Sequence, residues 1–491
     1  MRHSRFSRRL LICLGLLILL YAVLLIPATP PDAPAPGAQD AFVWNQDDYW
    51  ELLEQRFNLA RQLGCDSVAP TIDRKFAQLD SLLQLVADST LTPGAPQFDT
   101  LESSFFEQGV LIAACPDRLR QYLAAFGRLR HAVKQQSIAW NIDSPEVQDR
   151  LYRLLYGGRT AVEEAMLQST DESIPDMNVE WDEPSQTPAA LMFGVEVHSG
   201  DILISRGGAP TSALIARGSD YPGNFSHSAL VYIDSITHEI SVIEAHIERG
   251  VVISTVEDYL NDTKLRIMLL RLRADLDDLP ADPMLPHRAA AFARERALAE
   301  RVPYDFAMNS SDHTELFCSE VVSAAYEQVG CQLWRKESNI SEPGLRGWLA
   351  AFGVKNFTTQ EPSDLEYDPQ LCVVAEWRDL ETLRQDHYDN AIVDVMLEGA
   401  QRGDELRYDW YMLPVARMIK LYSTLLNQFD EVGPIPEGMS ATAALQNQWF
   451  GAQHLKAKVE LERKVAEFKL QNGYAPPYWA LVKLAREAYA G

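Results

Sequence analysis

The sequence is poor in positive charge. Its 44 Lys and Arg residues are outnumbered by 69 Asp and Glu residues, which gives the 491-residue chain a formal net charge of −25. A surface this acidic repels phosphate backbones, so we expect no nucleic-acid partner. Composition biases are missing as well: the chain is 47% hydrophobic and 23% charged. These values exclude collagen-like and mainly disordered proteins.

The signatures of several enzyme classes are also absent. The sequence contains no G-x-S-x-G, H-E-x-x-H or C-x-x-C motif, and its histidines between residues 198 and 246 lack compact metal-ligand spacing. Gly207-Gly208 is not followed by the Lys and Ser/Thr of a phosphate-binding loop. We therefore expect neither a metal ion nor any other cofactor.

One long apolar run is present, at the N-terminus. Residues 10–26 are seventeen consecutive apolar residues, and four arginines lie within residues 1–9. As a helix this run would span about 25 Å, slightly less than a hydrocarbon core of ~30 Å, so its length fits a cleaved signal peptide or an uncleaved signal anchor. We favour the anchor. The predicted topology is a single pass with the body on the exported, periplasmic or extracytoplasmic side of the membrane.

Changes in composition and periodicity divide the chain. Apolar residues at helical spacing predict a helical bundle before residue 170 and further helices after about 375, whereas short β-rich runs lie between them. The predicted segments are a signal anchor at 1–26, a Pro-rich spacer at 27–40, a helical region at 41–170, a linker at 171–190, a catalytic domain at 191–360 and a C-terminal helical region at 361–491.

The predicted catalytic domain has an α+β pattern. Five β-rich runs at 201–205, 229–234, 239–245, 250–255 and 265–272 precede helices at 281–301 and 317–329. This order predicts a mostly antiparallel sheet followed by packed helices.

Export would allow the cysteines to form disulfides. Cys65 and Cys115 could pair, and so could Cys331 and Cys372, which would leave Cys318 as the exported thiol without an evident partner. The alternative is that most of these cysteines are buried free thiols.

Cys318 stands at the predicted start of a helix. The segment Phe317-Cys318-Ser319-Glu320 leads into an amphipathic stripe. A thiol in the first helical turn faces N–H groups without intrahelical acceptors and the positive end of the helix dipole, and both lower its pKa. The same N–H groups can hold an oxyanion during acyl transfer. Cys318 is therefore a candidate nucleophile, although a buried cysteine that packs like alanine has the same position.

Candidates for a base and its orienting group lie on the predicted strands. His227 stands between two serines at the start of one strand, where its imidazole can enter a cleft. Glu244 and His246 lie two residues apart on the next strand and therefore share a face. Either side chain could orient His227, so Cys318, His227 and one of these two would supply a nucleophile, a base and an orienting group.

These residues resemble a known family, the permuted papain-like amidases of the YaeF/YiiX type within the NlpC-type cysteine hydrolases. In chain order the matching elements are Gly200-Asp201, Phe225-Ser226-His227-Ser228, Val242-Ile243-Glu244-Ala245, Gly250-Val251-Val252, Pro303-Tyr304-Asp305-Phe306 and Phe317-Cys318-Ser319-Glu320-Val321-Val322. The resemblance covers about residues 190–335. It implies a permuted papain-like fold in which Cys318 is the nucleophile, His227 the base and Glu244 the third member. Phe317 stands where the family usually has Tyr.

The sequence thus predicts a membrane-tethered, exported thiol hydrolase with a permuted papain-like core between two helical regions. Cell-wall peptide amides or short peptides are the expected substrates, given the compartment and the resemblance. Two alternatives stay open: acyl transfer or ester cleavage on lipids or thioesters by the same thiol, and a non-catalytic envelope scaffold whose flanking helices bind protein partners.

Overall fold

The computed structural model describes residues 2–31, 40–169, 174, 176–277, 279–427, 429 and 431–490, with side chains described from residue 12 onward. The arginine side chains of the N-terminus, much of the expected spacer at 27–40 and the start of the expected linker at 171–190 therefore lie outside the described residues.

An antiparallel sheet of seven strands forms the centre of the molecule, in the spatial order β1-β11-β8-β4-β5-β6-β7. Two short hairpins, β2–β3 and β9–β10, accompany it. The strands are β1 (Met177–Val179), β2 (Ala189–Met192), β3 (Val195–His198), β4 (Ile202–Gly207), β5 (His227–Ile233), β6 (Ile240–His246), β7 (Gly250–Ser254), β8 (Lys264–Leu272), β9 (Ser338–Asn339), β10 (Thr358–Thr359) and β11 (Leu371–Trp377).

Helices account for most of the remaining chain, together with short 3₁₀ turns. They are α1 (Arg2–Leu24), α2 (Asp47–Leu63), α3 (Cys65–Asp88), α4 (Pro96–Ala114), α5 (Leu119–Ser137), α6 (Pro145–Leu151), α7 (Gly157–Gln168), α8 (Pro210–Arg217), α9 (Val256–Asn261), α10 (Leu285–Ala299), α11 (Cys318–Glu327), α12 (Pro343–Phe352), α13 (Leu380–Gln401), α14 (Leu413–Asn427), α15 (Ala441–Asn472) and α16 (Tyr478–Ala490). A π-helical turn at Tyr152–Tyr156 connects α6 to α7.

Apolar side chains that point alternately to the two faces explain why this sheet is buried on both sides. Ile202 and Ile204 of β4 belong to the apolar core shared with α10 and α11. Leu203 between them belongs to the core on the opposite face, with Tyr259 of α9. Successive side chains of a strand point to opposite faces, so β4 contributes to both cores. The expected α+β class with a mostly antiparallel sheet is confirmed.

Strand β11 lies beyond the domain boundary expected at residue 360, yet it belongs to the sheet. It pairs antiparallel with β8 on one side and with β1 on the other. β1 itself falls within the expected linker. Neither strand was predicted, because β1 has only three residues and β11 follows a proline-containing acidic stretch instead of another strand.

A proline divides two helices of the region expected to be helical at 41–170. α4 and α5 are separated by a break at Cys115 and the 3₁₀ turn Pro116–Arg118. Pro116 has no N–H to donate within a helix, so the chain turns there. Cys115 at the break forms a disulfide with Cys65 at the start of α3, as one of the proposed pairings required. Cys331 and Cys372 do not form the second disulfide, and both thiols are buried.

Buried ion pairs connect the N-terminal helices to the sheet. Arg159 of α7 donates to both oxygens of Glu366 at 2.9 Å, and Arg266 of β8 donates to Glu163 of α7 at 2.6 Å. All four side chains are at most 3% exposed. Removing one partner would leave an uncompensated buried charge, so these pairs fix how α7 sits against the core.

The N-terminal residues 2–24 are helical, as α1. Among the residues that the structure describes, no helix combines the length and apolarity needed to cross a membrane. The membrane anchor expected at residues 1–26 is therefore not confirmed.

Candidate active site

Cys318 is the first residue of α11, as the sequence predicted. The residue before it, Phe317, has extended backbone, with φ −87° and ψ 176°, and its N–H donates to Glu320 Oε2 at 2.9 Å. This capping interaction sets where the helix begins. Cys318 is 7% exposed, and its Sγ lies 4.0 Å from the carbonyl oxygen of Ser226.

The segment that contains Ser226 also positions His227. His227 opens β5, opposite Ser205 of the central strand β4. The Ser226 N–H donates to the Ser205 carbonyl at 2.9 Å, which fixes the backbone on the N-terminal side of the histidine. The strand end and the helix start thus bring the imidazole and the thiol together from positions 91 residues apart in the sequence.

Glu244 lies on β6, whose register with β5 places it opposite Ala229. Its Oε2 lies 2.8 Å from His227 Nε2, so Nδ1 is the ring nitrogen left for the thiol. Its other oxygen, Oε1, lies 3.0 Å from His246 Nε2 and accepts a 2.7 Å hydrogen bond from the Ser254 hydroxyl. Both residues proposed as orienting groups are therefore near His227, but Glu244 contacts its ring directly.

The environment favours a thiolate–imidazolium pair. Burial by itself would raise the pKa of Cys318, but the hydrogen bond and positive charge of His227 and the Ser228 backbone N–H outweigh it, so the pKa lies below its ordinary value. Burial would lower the pKa of His227, but its hydrogen bonds to Cys318 and Glu244 raise it to about 9. Both shifts therefore favour the charged forms, the thiolate of Cys318 and the imidazolium of His227.

The charge of Glu244 is maintained despite its burial. Desolvation would raise its pKa, but hydrogen bonds and charges from His227 and His246 hold it well below its ordinary value. The carboxylate therefore stays ionised across the range in which the imidazolium exists. Of its three polar neighbours, Ser254 was not identified from the sequence, because its approach depends on the pairing of β6 with β7 and a lone serine at a strand end carries no signal.

Two further carboxyl groups near the thiol are buried and were also not predicted. Burial, followed by the charges of Asp305 and Cys318, raises the pKa of Glu320 to about 9. Burial and the charges of Asp364 and Cys318 raise that of Glu361 well above its ordinary value. Burial thus favours the neutral form of both carboxyl groups, and a neutral carboxyl does not oppose the Cys318 thiolate.

Gly250 has a position that only glycine satisfies. Its φ is +77°, and a Cβ atom there would lie 2.0 Å from the Val302 carbonyl oxygen. The next residue, Val251, donates its N–H to that same carbonyl at 2.9 Å. The glycine thus lets β7 begin against the segment before Pro303-Tyr304-Asp305-Phe306, which places Ser254 at the far end of the strand beside Glu244.

Residues 196–375 match the model of a family described as the permuted papain-like amidase enzymes, YaeF/YiiX, C92 family. The match extends from β3 into β11 and includes Cys318, His227 and Glu244. It confirms the resemblance drawn from the six short motifs and indicates an amidase or peptidase. No curated protein matches the chain.

Proposed function

We propose that this chain, with its permuted papain-like amidase segment, is a cysteine hydrolase that cleaves amides through Cys318, His227 and Glu244. One observation carries the proposal: the buried thiol and imidazole stabilise each other's charges while Glu244 holds the far ring nitrogen at 2.8 Å. A structural cysteine packed as an apolar side chain has no need of an ionised partner.

In the first half of the proposed reaction, the Cys318 thiolate attacks the carbonyl carbon of the amide and a C–S bond forms. The developing oxyanion accepts hydrogen bonds from backbone N–H groups in the first turn of α11, including that of Cys318. His227 then gives its proton to the leaving nitrogen. The C–N bond breaks, an amine departs and a thioester remains on Cys318.

In the second half, His227 is neutral and accepts a proton from water, whose oxygen attacks the thioester carbon. The C–S bond breaks, the acid product leaves, and the thiolate and imidazolium are restored. Glu244 contacts no reacting atom in this scheme. It fixes the ring through Nε2 and stabilises the positive charge that His227 carries at the start and the end.

The proposed substrate is a peptide amide, of the cell wall or of a short peptide. The family match supports an amide as the bond that is cleaved. The expected export of the body would place the protein in the compartment where cell-wall peptides occur. The C-terminal region would contribute to substrate selection, because it contacts the segment Pro303-Tyr304-Asp305-Phe306. Gly438 packs so closely on the Phe306 ring that a Cβ atom there would clash. Arg301, just before this segment, pairs with Glu437 at 2.8 Å. The Phe306 ring lies 5.1 Å from that of Tyr304, whose pKa is raised by burial and then by the charge of Cys318.

We also propose that the protein works at a membrane surface with its body on the exported side. Helix α14 exposes an apolar face that includes Met418, Leu421, Tyr422 and Leu425, each 51–63% exposed. Arg417 of α14 donates to backbone carbonyls at the C-terminal end of α1. The exposed apolar residues of α1 and α14 would thus meet one lipid surface, and the Cys65–Cys115 disulfide fits an oxidising compartment.

Trapping the acyl intermediate tests the proposed hydrolase. The full chain would be incubated with activated esters and amides of short peptides, and the adduct located by mass spectrometry of proteolytic fragments. We expect a peptidyl group on Cys318 that turns over in the wild type and accumulates when His227 is replaced by Ala. An adduct that accepts lipid alcohols or amines in preference to water would identify an acyltransferase. No adduct on Cys318 with any donor would favour the scaffold.

A further inference from the structure

A second cavity lies away from the triad, between the N-terminal helices and the C-terminal ones. Its volume is about 280 Å³, and neither Cys318, His227 nor Glu244 lines it. For comparison, an engineered cavity of about 150 Å³ binds benzene. The space is therefore large enough for one aromatic ring with a short chain.

Local sequence explains why this space exists. On α7 the residues that face the cavity recur every three or four positions, and Gly157, Ala161 and Ala165 among them are small. On α13 the facing residues are His387, Asn390 and Asp394, again at helical spacing. The small side chains of α7 leave the cavity open, and the polar side chains of α13 line its opposite wall.

The remaining wall is aromatic. Trp44, Trp50 and Trp479 line it together with Phe57 and Phe106. The rings of Trp50 and Trp479 stack with centroids 5.8 Å apart, and Trp44 meets Trp50 edge to face at the same distance. Such surfaces bind apolar groups and attract cations to their ring faces.

The polar groups of the cavity include a buried hydrogen-bond acceptor and carboxyl groups. Asn390 is 1% exposed, its amide donates to Asp386 at 3.1 Å, and its Oδ1 has no hydrogen-bond partner among the described residues. Glu164 accepts the Tyr478 N–H at 3.1 Å, its Oε1 lies 3.7 Å from His387 Nδ1, and burial raises its pKa to about 7. Asn390 Oδ1 and the Glu164 carboxyl can therefore both accept a hydrogen bond from a bound donor.

The other charges do not supply that donor. Arg217 lines the cavity, but Asp394 holds it at 2.7 and 3.1 Å. Glu54 is already an acceptor for Trp479 Nε1 at 3.0 Å and adds negative charge. The cavity therefore complements a cation that also donates hydrogen bonds.

We propose that this cavity binds a small primary ammonium compound with an apolar body of about one ring. The ammonium would donate to Asn390 Oδ1 and Glu164, and the body would lie against the tryptophans. A carboxylate or phosphate ligand is disfavoured because it would face Glu164 and Glu54, and because the Arg217 guanidinium is already paired with Asp394.

Binding of phenethylamine to the full chain, measured by calorimetry and tryptophan fluorescence, tests this. We expect saturable binding with one site. 2-Phenylethanol, which lacks the charge, should bind at least tenfold more weakly, and 3-phenylpropionate should not compete. A peptide with an N-terminal phenylalanine and its acetylated form show whether the ammonium is a free amine or a chain terminus; binding by the unblocked form alone also supports the site.

Variants assign the binding to this cavity. Glu164→Gln should weaken phenethylamine at least tenfold, whereas Glu51→Gln, an exposed carboxylate on α2, should leave it unchanged. Ala161→Phe should fill the space and abolish binding; since Ala161 is only partly buried, thermal unfolding would verify that the variant folds. Equal affinities for the amine and the alcohol, an unchanged affinity in Glu164→Gln, or no binding of phenethylamine by the wild type would overturn the proposal.

Discussion

His227 Nε2 lies 2.8 Å from Glu244 Oε2, while the second oxygen of that carboxylate contacts His246 and Ser254. The carboxylate is thereby fixed from one side and directs the imidazole from the other. Nδ1 of His227 remains for Cys318. This arrangement separates the roles of two residues that strand periodicity alone leaves equivalent, Glu244 and His246.

Replacing Glu244 should therefore cost far more than replacing His246. Glu244→Gln keeps the shape but removes the charge and the tautomer control, and we expect a loss in kcat/KM of at least about 100-fold. His246→Gln should cost less than about tenfold, because His246 is 31% exposed and its Nε2 contacts Glu244 instead of the thiol. Steady-state kinetics with circular dichroism as the folding control would check this. A large loss in His246→Gln alone would reverse the assignment.

The pH profile of kcat/KM should have a basic limb near pH 9. The reactive pair needs a protonated His227, whose pKa is raised to about 9, so activity falls as pH rises through that value. The acidic limb reports protonation of the Cys318 thiolate, whose pKa lies below its ordinary value. In Glu244→Gln one cause of the raised His227 pKa is gone, so the basic limb should move to lower pH. A basic limb that does not move would show that Glu244 does not support the imidazolium.

The Cys65–Cys115 disulfide should stabilise the N-terminal helices. It spans 50 residues of sequence, and loop closure of that length corresponds to about 4 kcal/mol in the chain-entropy account. The double variant Cys65→Ala/Cys115→Ala should unfold at lower denaturant concentration, and a reducing agent should shift the wild type similarly without affecting the variant. Equal unfolding of the oxidised wild type and the variant would count against a stabilising bond.

The apolar face of α14 should bind lipid. Replacing Met418, Leu421 and Leu425 by Glu should reduce flotation of the full chain with vesicles of mixed zwitterionic and anionic lipid. A matched triple variant on α15, with Glu at Leu455, Val459 and Leu470, adds the same charge at apolar side chains that are 61–88% exposed. We expect vesicle binding to survive in the α15 variant. Equal losses in both variants, or none in either, would remove α14 from the proposed membrane surface.

The sheet was predictable where strands follow one another. Each of β4 to β8 corresponds to one of the five β-rich runs, and the hairpin between β5 and β6 closes with Asp234 N–H donating to the Glu239 carbonyl. β11 was missed because it joins the sheet from about a hundred residues downstream of β8, and no local pattern encodes such a partner. Helix α16 lies within the region expected to be helical at 361–491, and it packs against α13 and α15.

Some residues of the candidate site could be predicted from local sequence, and others could not. Cys318, His227 and Glu244 are carried by local signals, namely a helix start and two strand faces, and the structure brings their side chains together. The other site residues depend on the fold. Ser254 reaches Glu244 only because β6 pairs with β7, and Glu320 and Glu361 have raised pKa values because they are buried. A serine at a strand end and two glutamates in an acidic chain have no pattern of their own, so only the folded structure assigns them to the site.

The central claim is that Cys318 is a low-pKa nucleophile paired with His227. Reactive thiols of this kind have pKa values of ~3.5–7.5, against ~8.5 for a free thiol. Cys372 offers an internal control, because burial followed by the nearby Glu183 raises the pKa of its thiol to about 12.

The rate of iodoacetamide alkylation against pH, followed residue by residue with mass spectrometry, tests this claim most directly. We predict fast modification of Cys318 well below pH 8, no modification of native Cys372, and a midpoint for Cys318 that moves up toward that of a free thiol in His227→Ala. A midpoint near that of a free thiol in the wild type, unchanged by His227→Ala, would contradict the catalytic pair.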